Sequence, residues 1–141
     1  MELKREYKRI MGIDVGTKRI GIAISDPFCM FASQSFLVLR EVGNDEKVFL
    51  EIDKIAKDNQ VEKIVIGVPY NMDGSLGFQG KNCIEFSEYF KKDYEVIYED
   101  ERLTSEQSSK ILKLKKKKYT KQKGLVNMQS ASIILQQYLD R

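Results

Sequence analysis

Residues 10–24 read IMGIDVGTKRIGIAI. The run is apolar and rich in isoleucine on both sides of Gly16-Thr17, so it predicts two strands joined by a tight turn. Asp14 interrupts the first strand just before that turn. A carboxylate in a buried strand is costly unless something compensates it, and oxygen ligands of this kind suit Mg²⁺ or Mn²⁺. We therefore interpret Asp14 as a metal ligand, the alternative being a strand-end acid satisfied by turn amides.

A second acidic cluster follows another strand-like run. Residues 94–98 read YEVIY and lead directly into three acids and then Arg102. If both strands bring acids to one edge of a sheet, Asp14 and either Asp100 or Glu101 lie together, as in metal-assisted phosphate chemistry. The alternative for the second cluster is an ion pair with Arg102 and support of the following helix N-terminus.

The composition is that of an ordinary globular domain. The 141 residues are 42% hydrophobic and 32% charged, which predicts one domain over 1–141 with a short N-terminal extension, 1–8. No apolar run is long enough for a membrane helix and no signal peptide begins the sequence, so we expect a cytoplasmic protein.

Two residue types narrow the chemistry further. Cys29 and Cys83 are too few and too far apart for a disulfide framework or a zinc site, so they are expected to be reduced thiols. The sequence contains no histidine, which excludes His-dependent triads, His-ligated zinc and imidazole acid–base catalysis.

The charge is unevenly distributed. Lysine and arginine total 24 against 21 acids, and eight of the lysines lie within 110–123, where there is no acid. Without those eight, 16 basic residues face 21 acidic ones. We expect this basic segment, assigned as a loop over 113–125, to contact nucleic acid, the alternative being a solvated loop that only aids solubility.

The pattern of apolar residues and turn signals predicts an alternating order of strands and helices. Strands are expected at 9–15, 19–26, 31–40, 64–68 and 95–98; helices at 45–59, with Asn44 as the N-cap, and at 77–92, 104–114 and 127–140. This order predicts an α/β fold whose mixed five-stranded sheet joins an antiparallel meander to parallel strands and is flanked by helices. Ligands then bind at the carboxyl ends of the parallel strands.

Four segments together resemble one protein family. They are GIDVGTKRIGIAISD at 12–26, IGVPYNMDG at 66–74, DERLT at 100–104 and IILQQYLD at 133–140. Their order and spacing are similar to those of the YqgF/RuvX family, a group of RNase H-like proteins described as Holliday-junction resolvases and pre-16S rRNA nucleases. The resemblance implies an RNase H-like fold, divalent-metal nuclease chemistry, a cytoplasmic location and a role in 5′-end maturation of ribosomal RNA.

The resemblance also implies which residues form the site. It places one catalytic acid at Asp14, a second in the pair Asp100 and Glu101, and a third at the position of Asn127. An amide there supplies a neutral oxygen and removes one negative charge, which weakens binding of a second cation. Glu99 or Asp140 is a possible substitute for the missing acid. Asparagine is also a favoured N-cap, so Asn127 has a structural interpretation as well.

Further residues are expected to bind substrate. Basic and turn residues beside Asp14 are in place to meet phosphate, a loop follows the fourth strand, and the lysine cluster grips the backbone. The set is Gly16, Thr17, Lys18, Arg19, Asn71, Arg102, Lys115, Lys116, Lys117 and Lys118. The alternatives are an ordinary turn at Gly16 and Thr17, solvated charges, and for Arg102 a pairing that orients the acids.

The sequence leaves three functions open. The first is a nuclease that uses Mg²⁺ or Mn²⁺ on structured nucleic acid, with pre-rRNA preferred over a DNA four-way junction as the partner. The second is an RNA-binding factor whose catalysis is weakened by Asn127. The third takes the Asp14–Thr17 segment as the phosphate loop of an actin-like ATPase, which a chain of this length disfavours. A monomer or weak homodimer without a membrane partner is expected in each case.

Overall fold

A computed structural model describes residues 8–41, 43–101 and 123–141, with the side chains of 123–128 outside the description. Within these ranges the chain forms three strands, a helix, a strand, a helix, a strand and a last helix. The elements are β1 (Arg9–Val15), β2 (Arg19–Ser25), β3 (Ala32–Leu39), α1 (Asp45–Asp58), β4 (Val61–Val68), α2 (Phe78–Ser87) with a 3₁₀ turn at Glu88–Phe90, β5 (Glu95–Asp100) and α3 (Lys123–Leu139).

The five described strands form one mixed sheet in the order β3-β2-β1-β4-β5. β1, β2 and β3 form an antiparallel meander, whereas β1, β4 and β5 run parallel. Ile13 pairs with Ile66, which in turn pairs with Tyr98. Asp14 follows Ile13 by one residue and Glu99 follows Tyr98 by one residue, so the first acids of β1 and β5 both come directly after this row of the sheet.

Each face of the sheet carries its own core. Alternate residues of the central strands, such as Ile13 and Ile66, pack beneath α1 and α2. The intervening residues, such as Ile10 and Val65, pack beneath α3. This division follows from the two-residue period of a strand, and it assigns every side chain of β1, β4 and β5 to one face or the other.

Two glycines let α3 approach the sheet closely. A Cβ on Gly12 would lie 2.7 Å from the Cβ of Leu135, and a Cβ on Gly67 would clash with the Cδ1 of Ile134. The helix therefore rests directly on the backbone of β1 and β4, and neither position has room for a larger residue.

The predicted fold class and sheet are confirmed, whereas several predicted details are wrong. β4 begins at Val61 instead of residue 64. β5 continues to Asp100 instead of ending at Tyr98, because Glu99 and Asp100 pair with Gly67 and Val68 of β4. Asn44 occupies the N-cap position of α1, but its side chain makes no capping hydrogen bond. Its φ of −129° and ψ of 52° lie outside the extended conformation that a capping side chain normally adopts.

The last helix also differs from its prediction. α3 begins at Lys123, so Asn127 lies in its second turn and is not the N-cap, and 123–125 are helical instead of belonging to a basic loop. No proline in 123–128 ends the helix on the N-terminal side of Asn127, so the asparagine is not a boundary here. The predicted helix at 104–114 lies outside the described residues. Of the helices within the described ranges, none is long and apolar enough to cross a membrane.

Candidate metal and nucleic-acid site

The structure brings Asp14 and Glu101 together. Asp14 lies near the end of β1 and Glu101 directly after β5, and their side chains share a hydrogen bond. Both are partly buried. Glu101 is four residues after Ile97, so by the alternation of strand side chains the two residues belong to the same face of the sheet. Ile97 packs beneath α3, and the carboxyl pair therefore lies on the α3 side of the sheet edge.

The two carboxyl groups have raised pKa values. Burial is the main cause for both, because it disfavours the charged form; it raises the pKa of Asp14 to about 6 and that of Glu101 to about 7. The negative charge of Asp14 raises the pKa of Glu101 further. The protonated Glu101 donates its hydrogen bond to the Asp14 carboxylate. A proton therefore compensates this pair in the absence of a cation.

Gly67 provides the space that Glu101 occupies. A Cβ at this position would lie 2.8 Å from Oε1 of Glu101. Any residue other than glycine would therefore displace the carboxyl group from the edge of β4. A lone glycine inside the apolar run 64–68 is a recognised signal of such close approach, and the sequence analysis did not use it.

Asp100 and Glu101 have different surroundings. By strand alternation Asp100 belongs to the face of Val96 and Tyr98, which pack on the α1–α2 side. Its charge still raises the pKa of Glu101. The geometry thus favours Glu101 over Asp100 as the direct partner of Asp14, a choice that the sequence left open.

The structure does not support the substitutes suggested for the third acid. Glu99 is fully buried, and its Oε1 accepts hydrogen bonds from Gln137, at 3.1 Å, and from Arg141. Asp140 accepts a hydrogen bond from Gln136 near the end of α3. Both acids therefore form hydrogen bonds with residues at or just after the C-terminal end of α3. Among the described residues, no group of three or more acidic, cysteine or histidine side chains is placed to hold a metal ion.

The backbone of α3 carries Asn127 towards the carboxyl pair. Gln136 hydrogen-bonds to the backbone of Ala32, which pairs with Ser25 at the end of β2 distant from Asp14. The preceding turns cross Gly12 at Ala131, and Asn127 lies one further turn along, towards the Asp14 end of β1. Its side chain lies outside the description, but its place in the helix is consistent with the third position of the site.

The turn after β1 is held by residues that the sequence analysis did not identify. Arg40 donates from Nη1 to the carbonyl of Gly16, at 3.0 Å, and its backbone N–H bonds to the carbonyl of Lys18. Gln79 donates from Nε2 to the carbonyl of Val15 at 2.9 Å. The turn beside Asp14 is thereby fixed from both flanking elements.

The predicted substrate residues fall into three groups. A Cβ on Gly16 would clash with the carbonyl of Arg19, so this glycine is required by the turn; Thr17 and Lys18 are exposed and Arg19 is partly buried. The Nδ2 of Asn71 donates to Ser75 within its own loop. Arg102 and the lysines at 115–118 lie outside the described residues.

The donor set of the site fits a hard divalent cation. Two carboxyl groups meet at the carboxyl ends of parallel strands, and burial raises the pKa of each by disfavouring its charged form, a penalty that a cation relieves. Burial also raises the pKa of the nearby Cys83 thiol to about 12, so this cysteine is protonated at neutral pH and is not a metal-binding thiolate.

The sheet order, the carboxyl pair at its edge and the helix crossing it define the RNase H-like class of α/β proteins. The chain belongs to the RuvX family, whose model matches residues 8–141 and is described as Holliday junction resolvase. It is thus a member of a family of nucleases.

Two relatives illustrate how far the similarity extends. A protein of Sulfurihydrogenibium sp. is 44% identical over 137 residues, which cover 94% of this chain and 90% of that protein. A protein of Clostridioides difficile is 42% identical over 134 residues, covering 94% of each. Both carry the name "Putative pre-16S rRNA nuclease".

One solved structure shares the fold. T. thermophilus RuvC, determined in complex with a Holliday junction substrate, superposes with a TM-score of 0.58 and 12% sequence identity. The alignment covers 94% of this chain and 93% of RuvC. At this identity the likeness concerns the fold alone.

Proposed function

We propose that the protein is a metal-dependent endonuclease that acts on structured nucleic acid and processes the 5′ end of pre-16S rRNA in the cytoplasm. The observation that carries the proposal is the contact between the Asp14 and Glu101 side chains at the carboxyl edge of the sheet. The names of the relatives support the choice of rRNA.

In the proposed mechanism Asp14 and Glu101 hold Mg²⁺ or Mn²⁺, with Asn127 contributing a neutral oxygen. A divalent ion held by these residues would supply activation of a water molecule and stabilisation of negative charge on the leaving oxygen of a phosphodiester. The chain positions the phosphate through the turn at Gly16 and Thr17, which Arg40 and Gln79 hold rigid. Lys18, Arg19 and the lysines at 115–118 neutralise the neighbouring phosphates.

The second candidate is a DNA nuclease for four-way junctions. The description of the matched family favours it, because that description names Holliday junction resolution. The family match also makes a nuclease a better proposal than the ATPase considered above.

A cleavage assay tests the proposal. Structured RNA with a 5′ leader and a four-way DNA junction are incubated with Mg²⁺ or Mn²⁺ and the native chain, Asp14→Asn or Glu101→Gln. We expect leader cleavage that either substitution reduces to background, because each removes a metal-ligand charge. Native activity that survives Asp14→Asn contradicts the site, and a preference for the junction supports the DNA candidate.

The third position has its own variant. Asn127→Asp restores the acid that the family pattern expects, so we predict faster cleavage and tighter binding of the cation. Cleavage rate is measured against Mg²⁺ concentration, and Asn127→Ser controls for the change of side chain. A native chain that binds RNA without cleaving it, together with an active Asn127→Asp variant, supports the RNA-binding alternative.

A further inference from the structure

A cavity that Asp14 and Glu101 do not line opens beside the turn after β1. Its volume is about 240 Å³, and it lies between the turn after β1 and the first turns of α2. Thr17 and Arg40 line one side, and Phe78, Gln79 and Asn82 line the other. None of the functions above uses Phe78 or Asn82.

Phe78 is exposed to an unusual degree. The residue is 89% exposed, although it is the first residue of a helix whose later residues enter the core. Exposed aromatic rings beside a nucleic-acid site provide a stacking surface for bases that are not paired in a duplex. Exposure alone does not identify a ligand, but here the ring borders a cavity with polar groups of its own.

The charges of the cavity disfavour an anion as its ligand. The guanidinium of Arg40 already donates to both carboxylate oxygens of Asp45, at 2.9 Å each, and to the Gly16 carbonyl. Asp45 and Glu41 also line the cavity, and their carboxylates repel an anion. A neutral, flat molecule with hydrogen-bonding edges suits this surface, since carboxylates and amides accept from and donate to base edges.

The cavity is within reach of the same substrate strand. Thr17 lies three residues beyond Asp14, so their Cα atoms are at most about 11 Å apart. Gln79, beside Phe78, is fixed to the carbonyl of Val15. A nucleotide one or two positions from a phosphate at Asp14 therefore reaches Phe78, provided that its base is unstacked.

We propose that Phe78 and Asn82 form a binding site for one unpaired nucleobase of the substrate. Phe78 stacks on the face of the base, and the Asn82 amide meets its edge. The inference rests on the proposed function, and it adds that the substrate is single-stranded or unstacked next to the scissile phosphate.

Binding of RNA oligonucleotides that carry 2-aminopurine tests the proposal without cleavage. The series places the fluorescent base at successive positions, in EDTA, in single-stranded and duplex forms. We expect the native chain to quench the single strand at one position, and Phe78→Ala to abolish that quench and weaken binding by about tenfold. Phe78→Tyr retains a ring and is expected to preserve both.

The controls separate stacking from general loss of apolar surface. Phe31→Ala removes an exposed ring at the other end of the sheet, between β2 and β3, and is expected to behave as native. An abasic nucleotide at the quenched position is expected to weaken native binding as much as Phe78→Ala does. Circular dichroism checks that each variant is folded.

The outcomes distinguish this inference from the proposed function. Equal binding of single strands by native and Phe78→Ala chains, or of abasic and intact strands, overturns the base site even if the enzyme cleaves RNA. Absence of binding to any single strand overturns it as well. Quenching that depends on Phe78 in a chain that never cleaves supports the base site and contradicts the nuclease.

Discussion

At the scale of single residues, the site depends on two neighbouring carboxyl groups whose burial disfavours their charged forms. Burial raises both pKa values, and below about pH 7, without a cation, Glu101 retains a proton that it donates in its hydrogen bond to Asp14. A cation displaces that proton when it binds, so metal affinity depends on pH. The site is thus prepared for a positive charge before any metal arrives.

This arrangement predicts a specific pH dependence of stability. Because both pKa values are higher in the folded protein, the pair contributes stability that is present below about pH 4 and lost as pH rises to about 7. In EDTA at pH 8, Asp14→Asn is therefore expected to be more stable than the native chain by roughly 1–2 kcal/mol. The difference should diminish at pH 5.

Urea unfolding of both chains at the two pH values measures this effect. Both chains contain the acids with lowered pKa values, such as Asp45 beside Arg40. The contribution of these acids to the free energy of unfolding therefore cancels when one chain is subtracted from the other. Adding Mg²⁺ at pH 8 is expected to stabilise the native chain and leave Asp14→Asn unchanged. A native chain that remains the more stable at pH 8 in EDTA is incompatible with the raised pKa values.

Among the elements, α3 connects the core to the site. It crosses β1 at Gly12 and β4 at Gly67, and its C-terminal part holds the buried Glu99 through Gln137 and Arg141. Of the side-chain atoms in the described residues, Oε2 of Glu99 is buried without a hydrogen-bond partner. The position of the helix is therefore set by packing against the sheet and by the hydrogen bonds that it makes to the buried Glu99.

Substitution of the two glycines separates packing from metal binding. Gly12→Ala and Gly67→Ala both overpack the interface with α3 and are expected to cost about 1–3 kcal/mol in unfolding free energy. Only the methyl group at Gly67 meets the Glu101 carboxyl group. We therefore expect Gly67→Ala alone to weaken Mg²⁺ binding, measured by calorimetry on the folded variants; equal metal affinity for both variants contradicts the proposed role of Glu101.

Sequence patterns predicted the bounds of an element correctly where neighbouring residues alone determine them. The bounds of β1 are as predicted, because Gly16 ends the strand with a turn that the sequence makes explicit. The start of α3 was not predicted correctly, since asparagine is common at helix N-caps but Asn127 lies inside this helix. The contact of Arg40 with the turn joins residues 24 apart and has no sequence pattern of its own.

At the scale of the whole molecule, charge is expected to dominate affinity for nucleic acid. The lysines at 115–118 release condensed counterions when they meet phosphates, so binding weakens as salt rises. Replacing all four by serine is expected to lower the slope of log K against log salt by about 3. Binding titrations between low and moderate salt measure the slope, with a chain carrying four serines at Lys47, Lys54, Lys57 and Lys91 as the matched control.

Some parts of the site could be predicted from the sequence, and others required the three-dimensional structure. Acids at the ends of two strands were enough to predict that Asp14 and the 100–101 pair lie near one another. Choosing Glu101 required the register of β5, which extends two residues beyond its apolar run. The cavity at Phe78 required the packing of α2 against the turn, which no local pattern describes.

The cover that α3 provides has a consequence during synthesis. The carboxyl pair joins residues 14 and 101, and the helix that protects Ile10 and Val65 begins only at Lys123. A nascent chain on the ribosome therefore displays an uncovered apolar sheet face until this late segment has emerged.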